Sequence, residues 1–122
     1  MDGKGIFKWK NGNKYEGDFK NGVREGKGIF YCNNGDIYKG DFFNDKFEGK
    51  GEYFWKNGNR YKGDFKNDLS DGKGIFYWKN GDRYEGEFKN DVIQGEGIMY
   101  YNNGKIEKGH WRKGIYLGDW NK

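Results

Sequence analysis

The sequence contains no proline, one cysteine (Cys32), one histidine (His110) and one serine (Ser70) in its 122 residues. A single cysteine cannot form an internal disulfide. The histidine has no second histidine or cysteine at ligand spacing, so the sequence predicts no metal site. The same scarcity leaves no Ser–His or Cys–His pair for nucleophilic catalysis. We therefore expect a protein that is not an enzyme and needs no cofactor.

Long apolar segments are also missing. Hydrophobic residues make up 33% of the chain, and no run is long enough to span a bilayer or to form the core of a signal peptide. We therefore expect a cytoplasmic protein. Low hydrophobicity with 23 glycines is typical of disordered chains, but Phe, Trp and Tyr make up 20% of the residues, which disordered segments rarely show. The aromatic residues therefore indicate a folded chain.

The sequence contains one unit that is repeated five times. The tripeptide Gly-Lys-Gly, or Gly-Glu-Gly in the last unit, begins at Gly3, Gly26, Gly49, Gly72 and Gly95. The period is 23 residues, and the units are 3–25, 26–48, 49–71, 72–94 and 95–117. Residues 118–122 form a tail or a partial cap. A fixed period of this length indicates a linear array in which each unit packs on its neighbours.

Charge is spread along this array. The net charge is +4, and the five units carry +3, −1, +1, 0 and +2. No polybasic cluster arises, so binding driven mainly by charge, to nucleic acid or to anionic lipid, is weakly supported. Binding of single strands also needs a basic groove beside the stacking rings, and we expect no nucleic-acid partner.

Each unit reads as a β-hairpin. In the first unit, residues 4–10 and 13–19 alternate as strands do, around a Lys-Asn-Gly turn. A two-residue loop would place the rings of the two strands on opposite faces. A three-residue loop with Gly12 in the left-handed region instead pairs Phe7 with Tyr15. We therefore predict the three-residue loop, and with it a pairing of Gly5 with Gly17.

The predicted fold is all-β, an elongated single-layer antiparallel sheet of repeated hairpins. Five hairpins joined by short connections, such as residues 20–25, give ten strands and a length of about 48 Å at about 4.8 Å per strand. One face carries rings, glycines and no charge, whereas the other carries Lys, Ile, Glu and Asp. Because no second layer is encoded, we expect the rings to lie over bare glycine backbone of adjacent strands, and the units to fold cooperatively.

Residues 72–90, Gly-Lys-Gly-Ile-Phe-Tyr-Trp-Lys-Asn-Gly-Asp-Arg-Tyr-Glu-Gly-Glu-Phe-Lys-Asn, resemble the MORN repeat, whose pattern is G-x-G-x-x-x-x-x-N-G-x-x-Y-x-G-x-W/F. The resemblance covers residues 3–117. The fifth unit departs from it at Met99, Glu107 and His110, as an end cap would. The resemblance implies a twisted single-layer groove that binds protein segments, often long helices, in cytoskeletal, ciliary or membrane-junction assemblies. Phospholipid binding has also been proposed for such repeats, and no catalytic residues are implied.

The rings of the uncharged face are the candidate partner-binding residues. Tyr and Trp combine a large ring with a polar tip and anchor interfaces at low entropic cost. Four phenylalanines near the connections are instead expected to pack structurally, namely Phe19, Phe42, Phe65 and Phe88. We expect an amphipathic helix or an extended segment of a protein partner to lie along Phe7, Trp9, Tyr15, Phe30, Tyr38, Tyr53, Trp55, Tyr61, Phe76, Trp78, Tyr84 and Tyr101.

Other partners stay open at this point. An anionic phospholipid surface is the main alternative, and glycan or choline-like ligands could stack on the same rings. The strand edges at residues 4–10 and 105–112 contain no proline, which favours a homodimer formed edge to edge or through the end caps.

Overall fold

The protein forms one antiparallel sheet of eleven strands. A computed structural model describes residues 2–120, in which the strands are β1 (Gly3–Lys8), β2 (Lys14–Lys20), β3 (Val23–Tyr31), β4 (Ile37–Phe43), β5 (Lys46–Phe54), β6 (Arg60–Lys66), β7 (Leu69–Tyr77), β8 (Arg83–Lys89), β9 (Val92–Tyr100), β10 (Ile106–Arg112) and β11 (Ile115–Gly118). The order in the sheet is the order in the chain. The predicted all-β, single-layer antiparallel fold is confirmed. Within residues 2–120, no helix is long and apolar enough to cross a membrane.

The turn inside each unit has the predicted three-residue loop. In the first unit, the Gly12 N–H donates to the carbonyl three residues earlier at 3.1 Å. Gly12 has a φ of 100°, which glycine adopts without steric cost. The resulting register pairs Phe7 with Tyr15 and Gly5 with Gly17, as predicted.

Successive three-residue loops are joined by the residue that follows each loop glycine. Asn13 Oδ1 accepts a hydrogen bond from the Asn33 backbone N–H at 2.7 Å, and Asp36 Oδ1 accepts one from the Lys56 N–H at 2.9 Å. These bonds link each unit to the next along one side of the sheet. In the fifth unit the same position is Lys105, whose ammonium group can donate hydrogen bonds but cannot accept one.

The connections between units are a second set of tight turns, so the prediction of longer connections such as residues 20–25 is wrong. Strand β2 ends at Lys20 and β3 begins at Val23, which leaves only Asn21 and Gly22 in the turn. Their φ values are 52° and 81°. Two consecutive positive φ values define the turn whose twist suits a hairpin. The equivalent turns are Asn44–Asp45, Asn67–Asp68, Asn90–Asp91 and Lys113–Gly114. The last of them leads into β11, so there are eleven strands and not ten.

A tyrosine ring lies over a glycine of the next strand in each of the first four units. A Cβ added to Gly28 would sit 2.5 Å from Tyr15 Cζ, so only glycine fits there. The Tyr15 hydroxyl donates to the Asp18 carbonyl at 2.7 Å, beside a β-bulge between Gly17 and Phe19. The prediction that rings pack over bare glycine backbone is therefore confirmed. The other pairs are Tyr38 over Gly51, Tyr61 over Gly74 and Tyr84 over Gly97.

The core is a single file of rings along one face, which we call the core file. Each tyrosine meets the phenylalanine of its own unit and the ring at the same position in the next unit. The Tyr15 centroid lies 5.1 Å from Phe19 and 4.9 Å from Phe42, with the ring planes nearly perpendicular. Edge-to-face contacts of this kind are favourable beyond the area they bury. The core file comprises Tyr15, Phe19, Tyr38, Phe42, Tyr61, Phe65, Tyr84, Phe88 and Trp111. The expected structural packing of the phenylalanines is confirmed.

Strand β11 covers the C-terminal end of the array. Strand β10 pairs with β9 on one side and β11 on the other, so the prediction of an open edge at residues 105–112 is wrong. The Trp111 Nε1–H donates to the Gly97 carbonyl at 3.0 Å, and the Tyr116 ring packs on Trp111 at 5.1 Å. The predicted tail, residues 118–122, begins at the end of β11, and its last two residues lie outside the described part of the chain.

Candidate functional site

A second line of rings runs beside the core file on the same face and is only partly buried. We call it the aromatic row. Its neighbours touch at centroid distances of 4.7 Å (Phe7 to Trp9), 5.5 Å (Trp9 to Phe30) and 5.2 Å (Trp55 to Phe76). The row comprises Phe7, Trp9, Phe30, Tyr53, Trp55, Phe76, Trp78 and Tyr101. All twelve candidate residues lie on this face, and eight of them form the aromatic row.

The other four candidates belong to the core file. Tyr15, Tyr38, Tyr61 and Tyr84 are 0–1% exposed. Burial raises the pKa of Tyr15 to about 12, and the nearby Asp18 carboxylate acts in the same direction. Burial also raises the pKa of Tyr84 to about 12. With no exposed surface, these tyrosines offer a partner no direct contact and instead support the rings beside them.

The aromatic row is interrupted in the second unit, where Cys32 stands at the position of Trp9. The Cys32 Sγ lies 3.9 Å from the Tyr53 hydroxyl, and burial raises the pKa of the thiol. The Tyr53 hydroxyl donates to Asp36 Oδ2 at 2.9 Å. Burial is the main cause that raises the pKa of Tyr53, and this hydrogen bond adds to it. Tyr53 is therefore held as a neutral donor with a fixed ring orientation.

A third line of side chains, one from the start of each odd-numbered strand after β1, also contributes to this face. We call it the variable column. It comprises Arg24, Phe47, Ser70, Ile93 and Tyr116. The Arg24 guanidinium lies 5.2–5.9 Å from four ring centroids of the aromatic face. The prediction that this face carries no charge is therefore wrong, because residues assigned to connections are strand residues whose side chains point to the rings.

The aromatic face has a cavity of about 370 Å³ where the variable column carries serine. The Ser70 hydroxyl lies 3.0 Å from Asp91 Oδ1 and is too short to fill the space above the rings. The walls are aromatic, with carboxylates beside them. The lining residues are Phe47, Tyr53, Trp55, Tyr61, Phe65, Asp68, Ser70, Phe76, Phe88 and Asp91.

The opposite face is not simply polar. The column that starts with Lys8 continues with four rings, Tyr31, Phe54, Tyr77 and Tyr100. Arginines lie over two of them, Arg60 at 4.2 Å from the Tyr77 centroid and Arg83 at 4.1 Å from that of Tyr100. Cations held flat on rings gain electrostatic stabilisation and shield the rings from water. These rings were not predicted from the sequence, because the first unit's member of the column is a lysine.

The same face has a wider groove of about 730 Å³ that runs over the glycines. We call it the glycine groove. Its residues are Lys39, Gly40, Lys50, Gly51, Glu52, Lys62, Gly63, Lys73, Gly74, Ile75, Glu85 and Gly86. Four lysines and two glutamates line it, and Lys50 also pairs with Asp64, so the groove has only a small excess of positive charge. This groove was not predicted from the sequence, since a groove over glycines depends on how the sheet bends.

Lysine–aspartate pairs join the two strands of a hairpin on this side in each of the first three units. Lys4 Nζ lies 2.8 Å from Asp18 Oδ1, and Lys27 pairs in the same way with Asp41. Hydrogen bonds from Lys4 and from the Lys27 backbone N–H lower the pKa of Asp18. The lysine side chains are largely exposed, so each pair contributes little to stability. Within residues 2–120, no group of His, Cys, Asp and Glu side chains could hold a metal ion.

The chain matches the model of a known family. The family model of the MORN repeat matches residues 1–14, 15–37, 38–60, 61–83 and 84–106. The complete segments have the same 23-residue period as the units described above, and differ only in where a unit begins. No curated protein matches the chain.

Proposed function

This chain belongs to the MORN-repeat family, and we propose that it is a scaffold module that holds a helical or extended segment of a partner protein along its aromatic row. MORN repeats are generally associated with membrane or phospholipid binding, or with protein-binding scaffold roles, and the family is a non-catalytic repeat module. A cytoplasmic location beside cytoskeletal or membrane assemblies is part of the same proposal.

The observation that carries this proposal is the aromatic row itself. Its rings touch one another in two runs, Phe7–Trp9–Phe30 and Tyr53–Trp55–Phe76–Trp78. They keep exposed surface, and no second layer within residues 2–120 covers them. Contiguous aromatic surface of this kind marks interaction sites on soluble proteins. Trp and Tyr are also the residues that most often dominate the binding energy of an interface. The buried tyrosines of the core file support the row from beside it.

The spacing of the array suits a helix. Equivalent rings in successive units are two strands apart, which is about 10 Å. A helix that lies along the array advances about 10.5 Å in seven residues. Apolar residues spaced seven apart on a partner helix would therefore meet one unit each. An extended segment would need apolar residues about three apart to match this spacing. Its side chains alternate between two faces, so residues three apart would point to opposite sides, and an extended segment fits the spacing less well.

No specific observation favours a lipid surface over a protein. Lys27 and Lys50 are paired with Asp41 and Asp64, and glutamates stand among the lysines that line the glycine groove. An anionic membrane is recognised by clustered basic residues, and these cations are not clustered.

The test uses a protein segment that the parent chain captures and that is then prepared in pure form. The affinity of this segment is measured for the 122-residue parent chain and for two variants of it. Replacing Trp55 and Trp78 by Ala should weaken binding by about 2–4 kcal/mol, since both rings belong to the middle of the row. The matched control reverses the charge of Lys62 and Lys66, and should cost less than about 1 kcal/mol.

Circular dichroism and urea unfolding must first show that the double Trp variant keeps its fold. A folded variant that binds as tightly as the parent would exclude the aromatic row as the site. A large loss from the Lys62 and Lys66 reversals would instead assign binding to the glycine groove, since Lys62 lines it.

A further inference from the structure

The first two units show that the aromatic face can hold a guanidinium group. Arg24 of the variable column is folded over the face, with its guanidinium carbon 5.6 Å from the Trp9 centroid and 5.2 Å from that of Phe30. The rings of Tyr15 and Phe42 complete this cage at 5.9 and 5.4 Å. All four distances lie within the range of a cation–π contact.

A carboxylate closes the same cage. Arg24 Nε lies 3.2 Å from Asp45 Oδ1, and the Arg24 backbone N–H donates to the same oxygen at 2.7 Å. The turn residue Asp45 has a φ of 67°, so its position is set by the tight turn between β4 and β5. The Arg24 guanidinium is therefore attracted by the faces of the rings and is also paired with a carboxylate.

Two units later, all of these surroundings recur without a change of residue type. Positions 46 residues further on are Trp55, Tyr61, Phe76, Phe88 and Asp91, and all five line the cavity beside Ser70. The backbone geometry recurs as well, since the Ser70 N–H donates to Asp91 Oδ1 at 2.7 Å. The difference lies in the variable column, where serine stands in place of arginine and leaves the cavity of about 370 Å³.

The other positions of the variable column lack at least one part of this arrangement. At the second position Phe47 stacks on Tyr38 at 3.8 Å and takes up the space, and Cys32 replaces the tryptophan. At the fourth position the residue is Ile93, and Gly114 stands where the carboxylate would be. At the fifth position the residue is Tyr116, whose own ring packs on Trp111 at 5.1 Å. Within residues 2–120, the cavity beside Ser70 is therefore the site that combines the complete cage, the carboxylate and open space.

We propose that this cavity binds the guanidinium group of an arginine side chain from the protein segment that lies on the aromatic row. The part of this proposal that concerns a partner's arginine rests on the function proposed above. The affinity of the cavity for a guanidinium group is independent of that function. The planar guanidinium stacks on ring faces while it hydrogen-bonds a carboxylate, which the compact ammonium of lysine does less well. Asp68 adds a second carboxylate to the lining.

The site is tested directly with N-acetyl-L-arginine amide added to the isotope-labelled full-length chain. We expect saturable shifts, with millimolar affinity, in the NMR signals of the Ser70 amide and the Trp55 indole N–H. The neutral isostere N-acetyl-L-citrulline amide should bind on the order of tenfold more weakly, because it has the same shape without the charge. Equal binding of the two compounds, or no shift with either, would overturn the proposal.

Two reciprocal variants sharpen the test. Ser70→Arg should fill the cavity with the chain's own guanidinium and abolish the shifts. Arg24→Ser should open an equivalent cavity, so that the arginine compound now also shifts the Trp9 indole signal. The control Ser70→Ala keeps the cavity and should bind the compound as the parent does. Should Ser70→Arg fail to fold, Arg24→Ser decides, since a folded variant that gains no site near Trp9 would refute the proposal.

These outcomes separate the cavity from the wider function. If the arginine compound binds as described and the Trp55 and Trp78 replacements leave partner binding unchanged, the cavity stands and the proposed function fails. If a captured segment binds the Ser70→Arg variant as tightly as the parent, the function stands and the arginine anchor is refuted.

Discussion

Replacing Gly74 by Ala tests how the core file is built. A Cβ at this position would lie 2.5 Å from Tyr61 Cζ, so the ring has to move. That ring is held at 5.1 Å from Phe65 and 4.9 Å from Phe88, and its hydroxyl donates to the Asp64 carbonyl at 2.9 Å. The substitution therefore displaces a ring that contacts two units at once.

The expected cost follows from three contributions. Overpacking costs about 1–3 kcal/mol, and the lost hydroxyl hydrogen bond costs about 1 kcal/mol. The reduced entropy of the unfolded chain offsets up to about 1 kcal/mol of this loss. We expect the free energy of unfolding to fall by about 2–3 kcal/mol, measured by urea denaturation followed by tryptophan fluorescence.

A double-mutant cycle identifies the cause. In a chain that also carries Tyr61→Leu, the added methyl group meets no hydroxyl or ring edge, and Gly74→Ala should cost less than about 0.5 kcal/mol. If Gly74→Ala leaves the urea midpoint unchanged, or costs the same with and without Tyr61, then ring-over-glycine packing does not stabilise the array as described.

Three further outcomes are expected. Burial raises the pKa of the core tyrosines above the value of about 10 in the unfolded chain, to about 12 for Tyr15 and Tyr84. Their contribution to the free energy of unfolding is therefore fully present below about pH 10 and is lost as pH rises through the folded values. Over that window each buried tyrosine should reduce stability by about 1.4 kcal/mol per pH unit, so a urea midpoint that stays constant from neutral pH to about pH 11 would contradict the burial. Binding to vesicles of anionic phospholipid should be weak and should disappear at moderate salt, whereas tight, salt-resistant binding in a flotation assay would rank membrane above protein as the partner. The exposed edge strand β1, with Ile6 59% exposed, should promote concentration-dependent dimers that Ile6→Lys prevents, and light scattering that shows only monomer at high concentration would exclude this association.

The sequence was sufficient for the features that depend on short-range rules. The 23-residue period, the hairpin in each unit and the three-residue loop follow from residue alternation and from turn chemistry around Gly12 and its equivalents. The sharing of one face by Phe7 and Tyr15 follows from the same loop, because loop length determines which residues pair. Much of the aromatic row could therefore be named in advance.

Local sequence signals also mark the turns between units. Asn21–Gly22 is a favoured pair for a tight hairpin turn, and Lys113–Gly114 also ends in glycine. In the middle units the pair is Asn-Asp, which reaches positive φ less readily than a pair with glycine, and this obscured the pattern. Because these turns were predicted as longer connections, Arg24 and the rest of the variable column were not assigned to the aromatic face.

Which rings are buried was decided only by tertiary structure. Tyr15 and Trp9 point to the same face of the sheet. Tyr15 is nevertheless buried, because Phe42, 27 residues further along the chain, packs against its ring. The cavity beside Ser70 likewise depends on Phe76 and Phe88 of the next unit. Turn type and face are properties of a few consecutive residues, which a sequence states directly. Burial in a single-layer sheet depends on contacts between units, and the bend and twist that bring those units together are properties of the whole array.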